Sequence, residues 1–268
     1  SLPIWISQFF WRHEVSKIER LAGGSFDLVW SFDPYRFQDL TMFNNNKSIY
    51  YAADWHANKH LEQRIVKNAY LVLAPSDLIL NRVTGCNMKK KISHGVAEHF
   101  FTMPVVQSLP GNNRLKVGFV GNLLQQYTDQ NLFKETISQN QHCDFILIGD
   151  DFKNSTHEYI KSLQSFSNVY FLGKKRNEEV PSFLHSCDVL MLCYDTIKFW
   201  KESSNAHKIM EYLAIGKVIL STRIAEYINR PDLLVMPSAN SELPSLLTKI
   251  TEQLNDYNAD AKVKARRE

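Results

Sequence analysis

The chain has 268 residues, 44% hydrophobic and 22% charged, with ten Gly and nine Pro. That composition allows one large core or two ordinary ones and excludes a low-complexity chain. The net charge of +3 is too mild to argue for a nucleic-acid partner, no apolar run reaches the ~18 residues of a membrane span, and no signal-peptide pattern is present.

In chain order, "LPIWISQFFWRHEVSKIERL" sets Trp5, Phe9, Phe10 and Trp11 beside Arg12, His13 and Lys17. A helix is predicted over 8–22, either packed on a core with a solvated polar side or lying on a membrane surface. "DLVWSF" (27–32), "SIYYAAD" (48–54) and "YLVLAPS" (70–76) read as strands, with helices over 57–69 and 76–84. "KKK" (89–91) reads as a solvated loop before a strand in "KKISHGV" (90–96). The Pro- and Asn-bearing stretch 102–113 reads as a linker. Residues 1–111 carry 12 Lys/Arg against 9 Asp/Glu, and residues 112–268 carry 19 against 19. The first half therefore holds the whole excess, a weak fit to an anionic surface or substrate.

The second half alternates more regularly. "KVGFVGN" (116–122), "CDFILIGD" (143–150), "NVYFLGK" (168–174), "DVLMLCY" (188–194), "KVILST" (217–222) and "LLVMPS" (233–238) are short apolar runs. Helices are predicted between them at 129–139, 155–166, 178–187 and 205–215, and a last amphipathic helix spans 241–257. This is the pattern of a parallel sheet covered on both faces, a doubly wound α/β domain whose ligand crevice lies beyond the carboxyl ends of the strands. The tail "DAKVKARRE" is predicted to fray. Cys143, Cys187 and Cys193 lie in or beside strand-like runs. With Cys86 they form no CxxC pair and no metal-ligand spacing, so they read as reduced thiols of a cytoplasmic protein.

One helix carries the chemistry. In "NAHKIMEYLAIGKVILST" (205–222), Ala206, Ile209, Met210, Leu213 and Ala214 form an apolar stripe, with His207, Lys208, Glu211 and Tyr212 off it. Ser204 or Asn205 is the expected N-cap and Gly216 the expected stop. An uncovered helix start binds phosphate, Lys208 adds a charge, and Glu211 could accept two hydrogen bonds from a vicinal diol such as a ribose. The bland alternative is a surface i,i+3 pair worth about 0.3 kcal/mol.

"SSNAHKIMEYLAIGKVILST" resembles the donor-site helix of retaining GT-B glycosyltransferases of the family 4 type, the glycosyl transferases group 1. "KVGFVGN", "DFILIGD", "NVYFLGKKRNEEVPSFLHSCDVLMLCY" and, more loosely, "LVLAPSDLIL" and "ISHGVAEHF" extend the resemblance over most of residues 27–228. It implies two Rossmann-like domains facing a cleft: an acceptor-side domain at 1–111, a nucleotide-sugar domain at 112–240, and a helix and tail at 241–268. It implies transfer of a sugar from a nucleotide-sugar donor to a glycan or lipid-linked acceptor, with retention. No metal or other cofactor is expected, and the setting is cell-surface polysaccharide assembly. The localisation implied is cytoplasmic, at the inner membrane face with peripheral membrane contact.

The resemblance also assigns residues. Glu211 matches the acid that binds the ribose and Lys208 the position near the phosphates. Gly121 and Asn122 match the loop that approaches the diphosphate. Ser203, Ser204 and Asn205 match the segment that faces the phosphates and sugar. Asp54, with His56 as a second candidate, matches a polar catalytic position at the sugar. Lys198 and Lys201 are further phosphate candidates, Asp150, Lys174 and Val180 are candidates at the base, and His94 and His99 read as structural. There are departures. Ser203 stands where many members have a second glutamate, and "GNLLQQYTDQ" (121–130) has no basic residue. The first domain shows only three or four strands against the family's pattern, so the chain is expected to lack a segment on the order of 100 residues, and Ser1 stands in place of an initiator Met. A catalytically inactive sugar-nucleotide or glycan-binding protein, or a sugar-nucleotide epimerase, would share this fold.

Overall fold

The computed structural model describes residues 4–43, 47–56, 58–102, 105–112, 115–150, 152, 155–201 and 206–268. Its contacts fall into two compact units, Ser1–Ser93 and His94–Glu268.

The first unit contains α1 (Ile4–Ala22), β1 (Val29–Ser31), β2 (Ser48–Tyr51), α2 (Lys59–Asn68), β3 (Leu71–Ala74), α3 (Asp77–Arg82) and β4 (Lys89–Lys91). The strands form one parallel sheet in the order β1-β2-β3-β4. Both crossover helices are capped by the residue before them. Asn58 Oδ1 accepts from the Leu61 amide at 3.2 Å, and Ser76 Oγ accepts from the Ile79 amide at 3.3 Å. Tyr50, Ile65, Val66, Val72 and Ile79 form the core. The three lysines expected in a loop are instead strand β4, in register with Val72–Ala74 and exposed throughout. A charged edge strand finishes a sheet while discouraging further pairing. In α1, Val15 is buried, whereas Phe9 and Phe10 are 71% and 55% exposed.

The second unit contains β5 (Leu115–Val120), α4 (Gln130–Gln139), β6 (Cys143–Ile148), α5 (Glu158–Gln164), β7 (Val169–Gly173), α6 (Val180–His185), β8 (Val189–Leu192), α7 (His207–Ile215), β9 (Val218–Ser221), α8 (Leu243–Glu252), α9 (Leu254–Tyr257) and α10 (Asp260–Arg267). Its sheet is parallel, in the order β7-β6-β5-β8-β9. The chain runs outward from β5 to β7 and then crosses back to β8 on the other side, so the switch point lies between β5 and β8. Strands β6, β8 and β9 are buried at every position, as uniformly apolar runs covered on both faces must be. One core cluster joins the sheet to α4, α5 and α8, the other to α6 and α7.

Three expectations are corrected here. "LLVMPS" makes a single bridge, Leu220 to Val235, and no strand. The 241–257 helix breaks at Gln253. The tail forms α10, because Arg266 is buried and donates to the carbonyls of Gly216, at 2.9 Å, and Tyr257, at 2.6 Å. Residues 94–102 and 105–112 belong to the second unit. Phe100 is buried in its α6/α7 cluster, and the Gln107 amide donates to Ser186 Oγ at 2.8 Å. The divide at Ser93/His94 thus lies earlier than the 102–113 stretch read as a linker. The cysteines are free thiols, with Cys143, Cys187 and Cys193 buried.

Candidate functional site

The carboxyl end of β5 meets the second turn of α7 at the switch point. The Val120 amide donates to the Tyr212 hydroxyl at 2.8 Å. Tyr212 is fully buried, and burial pushes its hydroxyl well above the usual tyrosine range. This bond fixes the strand end beside the helix turn that carries Glu211. Gly121 follows at φ +152°. The Asn122 side chain folds back to accept from the Leu124 amide at 2.8 Å, an Asx turn that leaves the residue exposed. Gly149, after β6, packs so closely that a Cβ there would run into the Gly121 carbonyl oxygen.

Helix α7 starts at His207 with Ala206 in the cap position, and no side chain caps it from there. Ser203, Ser204 and Asn205 lie outside the described residues. Gly216 closes the helix at φ +85°, as expected. The flank expected to be uncovered is covered in part: His207 is exposed and Lys208 half-buried, whereas Glu211 and Tyr212 are buried. Glu211 is 5% exposed and Tyr212 0%, because α6, α10 and the turn at Glu98–Phe100 all pack against α7.

Lys208 Nζ lies 2.6 Å from Glu211 Oε2, and His207 Nδ1 lies 3.6 Å from Oε1. The His207 ring meets that of His94 at 5.4 Å, edge to face. His99 Nε2 pairs with Asn177 Oδ1 at 2.7 Å. Lys198 and Lys201 lie over the rings of Phe199 and Trp200. Asp150 and Lys174 are exposed, whereas Val180 is a core residue unavailable to a base.

Beyond the carboxyl ends of β8 and β9 is a cavity of about 340 Å³, lined in part by Thr196, Trp200, Arg223 and Asn240. The Arg223 guanidinium donates to the carbonyls of Pro237 and Ser238. Sequence reading missed Arg223 and the tethering role of Tyr212. For Tyr212 the signal was present: a tyrosine off the apolar stripe, next to the acid.

In the first unit, Asp54 is exposed in a bend after β2 and does not cap α2, since Asn58 does. His56 is half-buried. Its ring meets Tyr35 at 5.5 Å, and its Nε2 is buried without a partner among the described residues. Its carbonyl accepts from Arg82 Nη2 at 2.5 Å. Arg82 also pairs with Glu62 at 3.2 Å and lies 4.3 Å over the Trp55 ring. Burial raises the Glu62 carboxyl above its ordinary value, opposed by Arg82 and His56. Among the described residues, no group of three or more His, Cys, Asp or Glu could hold a metal ion. No described helix is long and apolar enough to cross a membrane.

The second unit is a doubly wound α/β domain with an acid and a base on the helix tied to its switch-point strand. The chain belongs to the glycosyl transferases group 1 family, whose sequence profile matches residues 114–256. Solved structures share the fold. The chain is similar to Anabaena Alr3699/HepE in complex with UDP-glucose, at 18% identity and TM-score 0.67, over 95% of this chain and 78% of that one. It is similar to the sucrose-phosphate synthase of Thermosynechococcus elongatus at 14% identity and TM-score 0.70, over 99% and 76%. It is also similar to WaaG, a glycosyltransferase involved in lipopolysaccharide biosynthesis, at 13% identity and TM-score 0.62, over 92% and 74%. No curated protein matches the chain. The architecture expected from sequence, an α/β GT-B fold with parallel sheets, is the one observed.

Proposed function

We propose that the chain transfers a sugar from a nucleoside-diphosphate sugar to a glycan or lipid-linked acceptor, with retention and without a metal ion. The observation that carries this reading is the Lys208–Glu211 pair on α7, a helix tied to the carboxyl end of β5 by the Tyr212–Val120 bond. In this reading Glu211 anchors the ribose and takes no proton. The departing diphosphate is met by the positive end of α7, by Lys208 and by the backbone at Gly121 and Asn122. A helix end stabilises an anion by about 0.3–1 kcal/mol, rising to ~2 where partly buried. A hydrogen bond to a charged group contributes about 1.5–3 kcal/mol. Together such terms favour the state in which negative charge has moved onto the diphosphate.

Ser203, Ser204 and Asn205 complete the proposed donor segment, and Asp54 and His56 are the first unit's proposed contribution at the transferred sugar. The family match and the UDP-glucose complex of a protein of like fold support a nucleotide-sugar donor. The exposed Phe9 and Phe10 of α1, on a unit with 12 Lys/Arg against 8 Asp/Glu, support peripheral contact with the inner face of a membrane during surface-polysaccharide assembly.

A second reading, a sugar-nucleotide-binding protein without transfer, is favoured by the absence of any Lys or Arg from residues 121–130. A thermal-shift screen with UDP, GDP, ADP and their sugars, followed by assay of freed nucleotide, separates the two. Transfer predicts stabilisation by one nucleotide series and release of that nucleotide. Stabilisation with no release by any acceptor preparation points to the second reading, and no stabilisation contradicts both.

A further inference from the structure

One oxygen of Glu211 is held by a lysine and the other lies beyond hydrogen-bond distance of its nearest cation. Oε2 accepts from Lys208 at 2.6 Å and Oε1 faces His207 at 3.6 Å. A vicinal diol uses one oxygen for each hydroxyl, so Lys208 competes for one of the two oxygens that a ribose would use. The two members of the pair differ in freedom. The Glu211 side chain is 6% exposed and that of Lys208 26%. Lys208 is also the flexible one, a point charge on a four-carbon stem, one turn nearer the helix start. It sits in the first turn of α7, where the helix dipole disfavours a cation. A buried ion pair is weak evidence for stability, so the fold alone gives little reason to place this lysine here. A diphosphate offers it more negative charge than one carboxylate does.

We propose that Lys208 exchanges partners: it neutralises Glu211 when the site is empty and moves to the diphosphate when a donor binds, freeing Glu211 for the ribose. The proposal rests on the donor reading of α7 and adds a specificity rule to it. Phosphate and nucleoside bind with positive coupling, so the site responds to a ribose only when phosphate accompanies it. The coupling is reciprocal. The swap leaves the net charge on the protein unchanged and needs only a side-chain rotation, with no backbone step.

The test titrates uridine, guanosine and adenosine, and UDP, GDP and ADP, into the full chain, with and without inorganic pyrophosphate. The expected result is that pyrophosphate tightens binding of the matching nucleoside by roughly fivefold or more. Lys208→Met is expected to bind that diphosphate roughly tenfold more weakly and the nucleoside more tightly than the parent chain. The exchange is overturned if pyrophosphate leaves nucleoside binding unchanged or weaker. It is also overturned if Lys208→Met loses nucleoside and diphosphate affinity in the same proportion. The pyrophosphate measurement needs no variant, so it stands even if Lys208→Met fails to fold. Glu211→Gln separates the layers. If it weakens nucleoside and diphosphate while pyrophosphate coupling is absent, the exchange alone fails. If it changes neither affinity, the donor reading fails and the exchange with it.

Discussion

The Tyr212 hydroxyl is the smallest part on which the site depends. It accepts from the Val120 amide and belongs to a fully buried side chain, so removing it takes away that amide's side-chain partner. Tyr212→Phe is therefore expected to destabilise the second unit by about 1–3 kcal/mol in urea denaturation, and to weaken nucleotide binding because Gly121 loses its tether. An unchanged midpoint would show that water or another group replaces the hydroxyl. At this scale the sequence was informative about identity and poor on environment. Lys208 and Glu211 were legible as an i,i+3 pair, and Gly216 as a helix stop. The burial of Glu211 was not, because periodicity within one helix cannot report which other parts of the chain pack against that helix, here α6, α10 and the Glu98–Phe100 turn. Arg223 was invisible for the same reason, since its partners are carbonyls 14 and 15 residues away.

At the scale of elements, α10 does more than the charge pattern of its sequence suggests. Arg266 satisfies the Gly216 carbonyl at the end of α7, and Arg267 donates to the Phe101 carbonyl. Burial lowers the Arg266 pKa to about 10. The neighbouring cations also act on His185 at the end of α6. Its pKa lies below the ordinary 6.5, first through burial and then through Lys217 and Arg267. Between the folded value and 6.5 the unfolded chain binds more protons, so this group makes stability rise with pH across that window and fall as acid charges it. His185→Leu is expected to flatten that part of the pH–stability curve measured by chemical denaturation between pH 5 and 7. An unchanged slope would remove His185 from the account. Strands β5, β6, β8 and β9 were legible because continuous apolar runs between helix-length spacers have few other uses. "LLVMPS" failed as a strand although equally apolar. Only Val235 pairs, with Leu220, while Leu233, Leu234 and Met236 serve the second core cluster. The lysine strand β4 failed in the opposite direction, because edge pairing is a backbone property that side-chain hydropathy hides.

For the whole molecule, each unit has its own core: the cluster around Tyr50, Ile65 and Val72 in the first, and two clusters either side of a five-stranded sheet in the second. A fragment spanning 94–268 is therefore expected to unfold as one cooperative transition and to keep the nucleotide affinity of the full chain, by denaturation and titration of both. A fragment that is unstructured would contradict the independence of the units. Two α/β units were readable from the alternation of apolar runs and spacers. Their divide was not, because the Pro- and Asn-bearing stretch looks like a linker while Phe100 and Gln107 anchor it to the second unit.

The central claim is that α7 binds a nucleoside diphosphate through Glu211 and Lys208. Its most direct test is isothermal titration of the stabilising diphosphate from the UDP, GDP and ADP series into the parent chain and Glu211→Gln, with thermal denaturation as the check on folding. Loss of the charged acceptor predicts a Kd raised roughly ten- to hundredfold, about 1.5–3 kcal/mol, in a chain that still unfolds cooperatively. An equal Kd in the two proteins would contradict it.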